Sequence, residues 1–339
     1  MSQKHRRGPF QYADRVQLTG PKGRRHSITL TAGEVFHSQY GMVKHDDIVG
    51  NPEGSVFETP QGSKYLALRP MLRDFVMGMP RGAAIVYPKD AAQIISLADI
   101  GPNMNVVEAG VGSGALTLHL LRALGGTGRL RSVERREEFA EIAEANVSAF
   151  YGRKPENWEL TVGDFQEVFT SEPAQHSGAS SCSAGNSSGD VDRIVLDMLA
   201  PWECVSAVAH ALIPGGIVLC YVATVTQLSR VTEEFRRHGG FTRPEASETL
   251  VRGWHVEGLA VRPDHRMVAH TGFLVCARRL ADGAELPEHK RPASKDNYDE
   301  SDILAWTPDL LDEPRKSDKV IRKKVREAQR FASGLKREQ

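Results

Sequence analysis

The stretch Asn105–Leu121, NVVEAGVGSGALTLHLL, constrains this chain more than any other. An apolar run ends at Glu108, passes Gly110, Gly112 and Gly114, and restarts with apolar residues at helical spacing. That order reads as a buried strand, a tight turn and a helix. Glycine lets the main chain turn sharply and approach a ligand, and the start of the helix presents N–H groups without partners. The loop therefore suits a nucleotide-like ligand. The glycines alone do not say which, because Gly110, Gly112 and Ala115 also satisfy the dinucleotide-binding spacing.

The flanking pattern extends the argument. Strand candidates fall at Val106–Ala109, Arg129–Glu134, Glu159–Val162, Arg193–Asp197 and Ile217–Val222, with helical stretches between them. In EEFAEIAEANVSAFY, Phe139, Ile142, Ala143, Val147 and Phe150 share one helix face. Strand and helix in alternation predict a parallel sheet covered on both faces. The segment from Arg243 to Arg279 offers two long strands with no helix between them, so the last strand is expected to run antiparallel. Residues 10 to about 70 carry short strands and turn signals, with hairpins bending at Gly20–Gly23 and Pro60–Gly62. The expected fold class is α/β, with a small β-domain over 1–75, a Rossmann-like domain over 76–280 and a polar linker and basic tail over 281–339. Residues 171–190 are Ser/Gly/Ala-rich and read as a disordered surface insert. The tail places Ile321, Val325, Ala328, Ala332 and Leu335 at helical spacing, as a basic amphipathic helix or a frayed end.

Composition excludes several classes. No apolar run reaches the ~18 residues of a membrane span, and the charged N-terminus lacks the apolar core of a secretory signal. Cys182, Cys204, Cys220 and Cys276 have no CxxC pairing. That disfavours a zinc site or disulfide framework and fits a reducing cytoplasm. Formal net charge is zero, so bulk charge gives no support to nucleic-acid binding; only local basic clusters do, at residues 4–7, 22–25 and beyond 315.

The acids narrow the ligand. Glu108 stands two residues before the first glycine, where a pyrophosphate would meet a fixed negative charge. A ligand carrying an ammonium and a sulfonium would be attracted, and S-adenosylmethionine has both. Glu134 is the acid expected about 20 residues past the loop to accept ribose hydroxyls. Phe139 either presses on the adenine or belongs to its helix stripe. Asp164 is placed to accept from the adenine amino group, with Phe165 beside it. Asp197 ends the fourth strand candidate, Pro201 is then expected to stop regular structure, and Trp202 follows. A carboxylate with rings nearby suits a planar nitrogen base, and gains value as positive charge arrives on a ring nitrogen. Tyr87, held extended by Pro88, and Tyr221 join this edge. Asp90 is expected to N-cap a helix carrying Gln93.

These segments together resemble the bacterial, and especially the actinobacterial, tRNA (adenine-58-N1)-methyltransferases: EAGVGSGALT, SVERREEF, GDF, DMLAPW, IPGG and RGWHVEGLAVRPDHRMVAHTGFLVCARR. The resemblance runs from about Phe10 to Arg279. It implies a seven-stranded class I methyltransferase sheet, a small N-terminal β-domain, a homotetramer, S-adenosylmethionine as donor and adenine N1 of the tRNA T-loop as acceptor. It further implies that Ser113, Gly114, Ala115 and Leu116, with Glu134, Phe139 and Asp164, hold the cofactor. Asp197 would touch cofactor and base, Tyr87 and Tyr221 would lie near the target adenine, and Arg252, His255, Arg262, His265 and Arg266 would face the tRNA. No metal is implied. The insert at 171–190 and the extension after Arg279 exceed the family pattern. The competing readings are a class I methyltransferase with a protein-carboxylate or small-molecule acceptor, a silent RNA-binding scaffold, and a dehydrogenase.

Overall fold

The computed structural model describes residues 8–170, 189–287 and 318–333. These form two compact units. The first comprises residues up to Arg81, Glu144–Pro155 and the chain from Lys324; the second comprises Gly82–Ala143 and Glu156–Lys323. The first unit is thus not the N-terminal 75 residues alone, because the end of one internal helix and most of the C-terminal helix pack within it. The expected insert lies outside the described residues except for Gly189 and Asp190, as does most of the polar linker.

In the first unit, β1 (Arg15–Thr19), β2 (Arg25–Thr29), β5 (Val56–Glu58) and β6 (Lys64–Leu68) form an antiparallel sheet in the order β2-β1-β6-β5. A separate hairpin pairs β3 (Val35–Ser38) with β4 (Gly41–Lys44), followed by the short α1 (His45–Ile48). Both expected turns are present: Gly23 N–H bonds the Gly20 carbonyl and Gly62 N–H bonds that of Thr59. Val16 and Leu18 alternate inward from β1 and meet Phe10, Leu30, Ile48 and Tyr65 in one small core. After α2 (Leu72–Gly78), this unit also holds the later part of α9 (Asp318–Ser333). Here the amphipathic reading of the tail prevails. Val325 and Ala328 are buried, and Phe331 stacks within 5.7 Å of Phe75 under the Arg15 guanidinium, 3.5 Å from its centroid. Leu335 lies outside the described residues.

The second unit is built on a seven-stranded sheet, ordered β12-β15-β11-β10-β7-β8-β9. Its parallel strands are β7 (Asn105–Ala109), β8 (Arg129–Glu134), β9 (Trp158–Val162), β10 (Val191–Asp197) and β11 (Leu212–Val222). They are linked by α4 (Ala115–Leu124), α5 (Glu137–Tyr151), α6 (Phe165–Thr170) and α7 (Val205–Ala211). The chain runs outward from β7 through β8 to β9, then returns to the other side of β7 at β10. The reversal falls between β7 and β10, where open α/β sheets bind their ligands at the strands' carboxyl ends.

Two expectations need correction. The segment after Arg243 does not make two long strands. β12 (Glu245–Ser247) pairs with β15 (Phe273–Arg278), which runs antiparallel to β11 as expected. Between them, β13 (Trp254–Glu257) and β14 (Ala260–Pro263) form a separate two-stranded ribbon. Gly258 at positive φ closes that ribbon early. Nor does Pro201 end regular structure. It opens a single 3₁₀ turn, Pro201–Cys204, that feeds α7, since proline's missing N–H costs nothing at a helix start. Beyond β11, Thr224 caps α8 (Val225–His238) by accepting from Gln227 N–H.

Candidate active site

The three loop glycines do three different things. At Gly110, φ is +86° and an added Cβ would overlap the Asp197 carbonyl. The glycine is there so that β7 can end against the end of β10. Gly114 backs onto helix α5, where a Cβ would lie 3.2 Å from the Ala143 α-carbon. Only Gly112 faces open space, its nearest atom the Ala84 carbonyl at 3.9 Å. Of the three, Gly112 is the one whose Cβ position is left open.

Carboxylates gather at neighbouring strand ends. Glu108 lies beside Ser132 of β8 and Val195 of β10 in the sheet register. It is fully buried, and its Oε2 accepts from Thr117 Oγ1 and Ser132 Oγ, both at 2.8 Å, while Oε1 has no partner. Burial, opposed by those two hydrogen bonds and reinforced by Asp197 and Glu134, pushes its pKa up to about 8. Glu108 is thus not the fixed charge its position before the glycines suggests. It is a buried acid with one oxygen unfilled.

Glu134 ends β8 and holds the loop. Its Oε2 accepts from Gly112 N–H at 2.9 Å and its Oε1 from Arg136 N–H at 3.1 Å. Asp197 is half-buried at the end of β10, and its carboxylate has no hydrogen-bond partner among the described residues. Burial, then the charge of Glu134, pushes it up to about 7. Tyr221 is its register partner on β11 and is buried. The tyrosine hydroxyl donates to the Thr271 carbonyl at 2.7 Å, and burial with Asp90 nearby drives its pKa upward. It is held as a neutral phenol.

The remaining candidates divide. Tyr87 is the extended N-cap of α3 (Pro88–Leu97), as Pro88 dictates. Asp90 is not that cap but lies in the first turn, fully buried and bonded to Lys89 and Thr271. Gln93 is exposed on the same helix. Ser113 Oγ accepts from Gly82 N–H at 3.0 Å, so this hydroxyl braces the loop from behind. Ala115 and Leu116 are buried side chains that leave only main-chain atoms for a ligand. Phe139 is buried beneath Arg136, whose guanidinium sits 3.7 Å from the ring centroid; the helix-stripe reading describes it. Asp164 caps α6 by accepting from Gln166 N–H at 2.8 Å, with its other oxygen 3.4 Å from Arg135. Phe165 is core, packed on Phe169. Trp202, expected as a stacking ring near the acceptor, is buried with Arg230 across its face.

The cationic candidates lie on and beside the β13–β14 ribbon. His255 and Arg262 are register partners on one face, while Trp254, Val256, Val261 and Pro263 alternate onto the other. Arg252, Arg262, His265 and Arg266 are exposed, as are Trp254, Val256, Leu259 and Val261. Sequence reading marked the charges here and missed the apolar face, whose signal was the alternation within WHVEGLAVRP. It also missed the Lys89–Thr271 contact, for which no local signal exists. Among the described residues, no group of His, Cys, Asp and Glu could hold a metal ion.

A seven-stranded sheet in this order, with β15 antiparallel to its neighbours, a glycine loop and acids at the strand ends around its reversal point, is the fold of class I S-adenosylmethionine-dependent methyltransferases. A crystallised SAM-dependent O-methyltransferase from Thermotoga maritima superposes with a TM-score of 0.72 at 29% identity, covering 81% of this chain and 96% of that one. The tRNA (m1A58) methyltransferase TrmI of Aquifex aeolicus gives 0.67 at 25% identity, covering 81% and 100%. In sequence, residues 8–57 match the TrmI-like N-terminal family and residues 65–261 the family described as the tRNA methyltransferase complex GCD14 subunit. The tRNA (adenine(58)-N(1))-methyltransferase TrmI of Thermus thermophilus is 33% identical over 272 residues, 80% of this chain and 97% of that protein. The chain belongs to the tRNA (adenine-58-N1)-methyltransferase family.

Proposed function

We infer that this chain transfers the methyl group of S-adenosylmethionine to N1 of adenine-58 in tRNA. The observation that carries the reading is Asp197: a carboxylate at the sheet's reversal point, without a partner, beside a neutral tyrosine and two further acids. Two observations support a nucleoside donor with a cationic sulfur here: Gly112, alone among the loop glycines, has open space where a Cβ would be, and Glu134 and Asp197 end the two strands that flank β7 at the reversal point.

When bound, the donor would supply a methyl group activated by positive sulfur. Gly112 and the start of α4 would offer main-chain contacts, Glu134 would accept from the ribose hydroxyls, and Asp164 would accept from the adenine amino group. Asp197 would orient the acceptor base and stabilise the positive charge that develops on it. Adenine N1 has a free lone pair, so no base is needed to remove a proton. That agrees with a tyrosine held protonated. Alignment of acceptor and methyl then supplies much of the rate.

The two-faced ribbon supports two further parts of the reading. Its basic face, with Arg252, His255, Arg262, His265 and Arg266 on or near it, would meet tRNA phosphates. Its apolar face, unusual on a monomer surface, would be covered by another copy of the chain in a homotetramer. No helix among the described residues is long and apolar enough to cross a membrane. A tRNA substrate would call for a cytoplasmic enzyme.

The test is transfer of labelled methyl to a tRNA transcript, to the same transcript with adenine-58 replaced, and to hydroxyl and carboxyl acceptors. Label on the intact transcript alone supports the reading. Label on the oxygen acceptors instead would transfer the assignment to another class I methyltransferase.

A further inference from the structure

The acceptor side of the crevice holds a buried ion pair that methyl transfer does not use directly. Lys89 and Asp90 follow Tyr87 and Pro88 in the first turn of α3, with side chains 10% and 0% exposed. The Lys89 ammonium has three N–H bonds and meets three acceptors: Asp90 Oδ1 at 2.7 Å, the Thr249 carbonyl at 2.7 Å and Thr271 Oγ1 at 2.6 Å. The Thr271 hydroxyl donates in turn to Asp90 Oδ2 at 2.6 Å. The ring Lys89–Asp90–Thr271 closes with each of these polar groups bonded.

Such a ring is an expensive way to stabilise a fold. Replacing a buried ion pair by apolar residues of similar volume is often neutral or favourable. What the ring supplies, and an apolar cluster would not, is direction. One ammonium holds both roots of the segment bearing the ribbon, Thr249 before it and Thr271 after it. The Thr271 carbonyl accepts the Tyr221 hydroxyl at 2.7 Å, and the Tyr221 ring packs on Gly272, where there is no room for a Cβ. Tyr221 is in register with Asp197. The ring thus joins the turn that starts at Tyr87 to the strand end that carries Tyr221 and adjoins Asp197.

We propose that Lys89, Asp90 and Thr271 are positioning residues for the methyl-transfer reaction, locking the Tyr221 hydroxyl and the root of the ribbon in one arrangement relative to Asp197. The proposal rests on the functional reading above. It concerns orientation on the acceptor side, so it predicts an effect on turnover rather than on donor binding.

The test uses the full chain with Thr271→Val, which removes the hydroxyl at nearly constant volume, and Thr271→Ser, which keeps it. Thr271→Val is expected to lower kcat by about 10- to 100-fold, the scale of a small misplacement of reacting groups, with tRNA KM and donor Kd little changed. Thr271→Ser is expected to restore most of kcat. In a Tyr221→Phe background, Thr271→Val should cost little more, because the ring acts through that hydroxyl. Wild-type kcat in Thr271→Val, additive losses in the double variant, or parallel loss of kcat, KM, donor affinity and melting temperature in both Thr271 variants would each overturn it. If the wild-type chain methylates no tRNA, the functional reading falls and takes this proposal with it; if it does and Thr271→Val does equally, only the proposal falls.

Discussion

The α-carbon of Gly110 lies against the carbonyl of Asp197, so the first loop glycine and the candidate acceptor acid fix each other's place at the reversal point of the sheet. The loop is usually thought of as a ligand cradle. Here its first glycine is required by the protein's own backbone, and its second is the one left open to a ligand.

Alanine substitutions should separate these roles. Gly110→Ala meets both a left-handed φ, worth about 1–2 kcal/mol, and overlap with the Asp197 carbonyl, and should lower the melting temperature sharply. Gly112→Ala carries only the φ penalty and should weaken donor binding far more than it destabilises. Thermal melts and calorimetry on both variants check this; a Gly112→Ala variant with wild-type donor affinity would count against the open position as the contact point.

Asp197→Ala should keep the fold and most donor affinity while turnover falls by orders of magnitude. With a pKa of about 7 in the free protein, kcat/KM should also fall as pH drops below 7, because the protonated acid no longer stabilises positive charge on the base. A pH–rate profile is the measurement, and a flat profile between pH 6 and 8 would remove Asp197's charge from the mechanism.

Glu108 has a folded-state pKa of about 8 against an ordinary value of 4.5. The folded state therefore binds more protons than the unfolded chain between those values. The stability tied to this acid is complete below about 4.5 and is lost as pH rises through about 8. Glu108→Gln should melt higher than wild type at pH 9, and the difference should shrink toward pH 5. Parallel melting curves for the two proteins across that range would exclude the buried acid as its source.

Both ring nitrogens of His270 face acceptors, Nδ1 the Glu248 carboxylate at 2.7 Å and Nε2 the Ala223 carbonyl at 2.8 Å. Filling both bonds needs the imidazolium, and the Ala223 carbonyl first, then Glu248, raise its pKa, opposed by desolvation and, less, by Lys89. The stabilisation is present below the unfolded value near 6.5 and is lost as pH rises through the raised one. Amide exchange around Ala223 and Glu248 should quicken at alkaline pH in the wild type and be pH-independent, beyond the intrinsic rate, in His270→Ala.

Phe331 joins the C-terminal helix to Phe75 and Arg15. Phe331→Ala should cost about 1–3 kcal/mol of local stability, below the range for a fully buried phenylalanine because this ring is half-buried. Limited trypsin digestion should then release the basic tail early, and unchanged digestion would show that the ring is not the anchor.

The strands of the parallel sheet, the two N-terminal hairpin turns and the sheet-edge acids were legible because each rests on local rules: apolar runs, glycine at positive φ, carboxylates at the ends of strands. The ribbon was half legible. Its alternation WHVEGLAVRP was present, but a run preceded by Gly253 and interrupted by Gly258 resists division into strands until the pairing is known. The roles of Glu108, Phe139 and Trp202 were not legible, because burial depends on what the rest of the chain lays over a residue.

Sequence by itself determined the α/β class, the glycine loop, the row of acids and the family, since these depend on residue types at fixed spacings. Tertiary structure alone decided which glycine stays open, which acid is buried with an unfilled oxygen, and that Lys89 meets Thr249 and Thr271 far along the chain. The physical reason is that charge state and orientation depend on solvent exclusion and on hydrogen bonds between distant segments, and neither is written in local spacing.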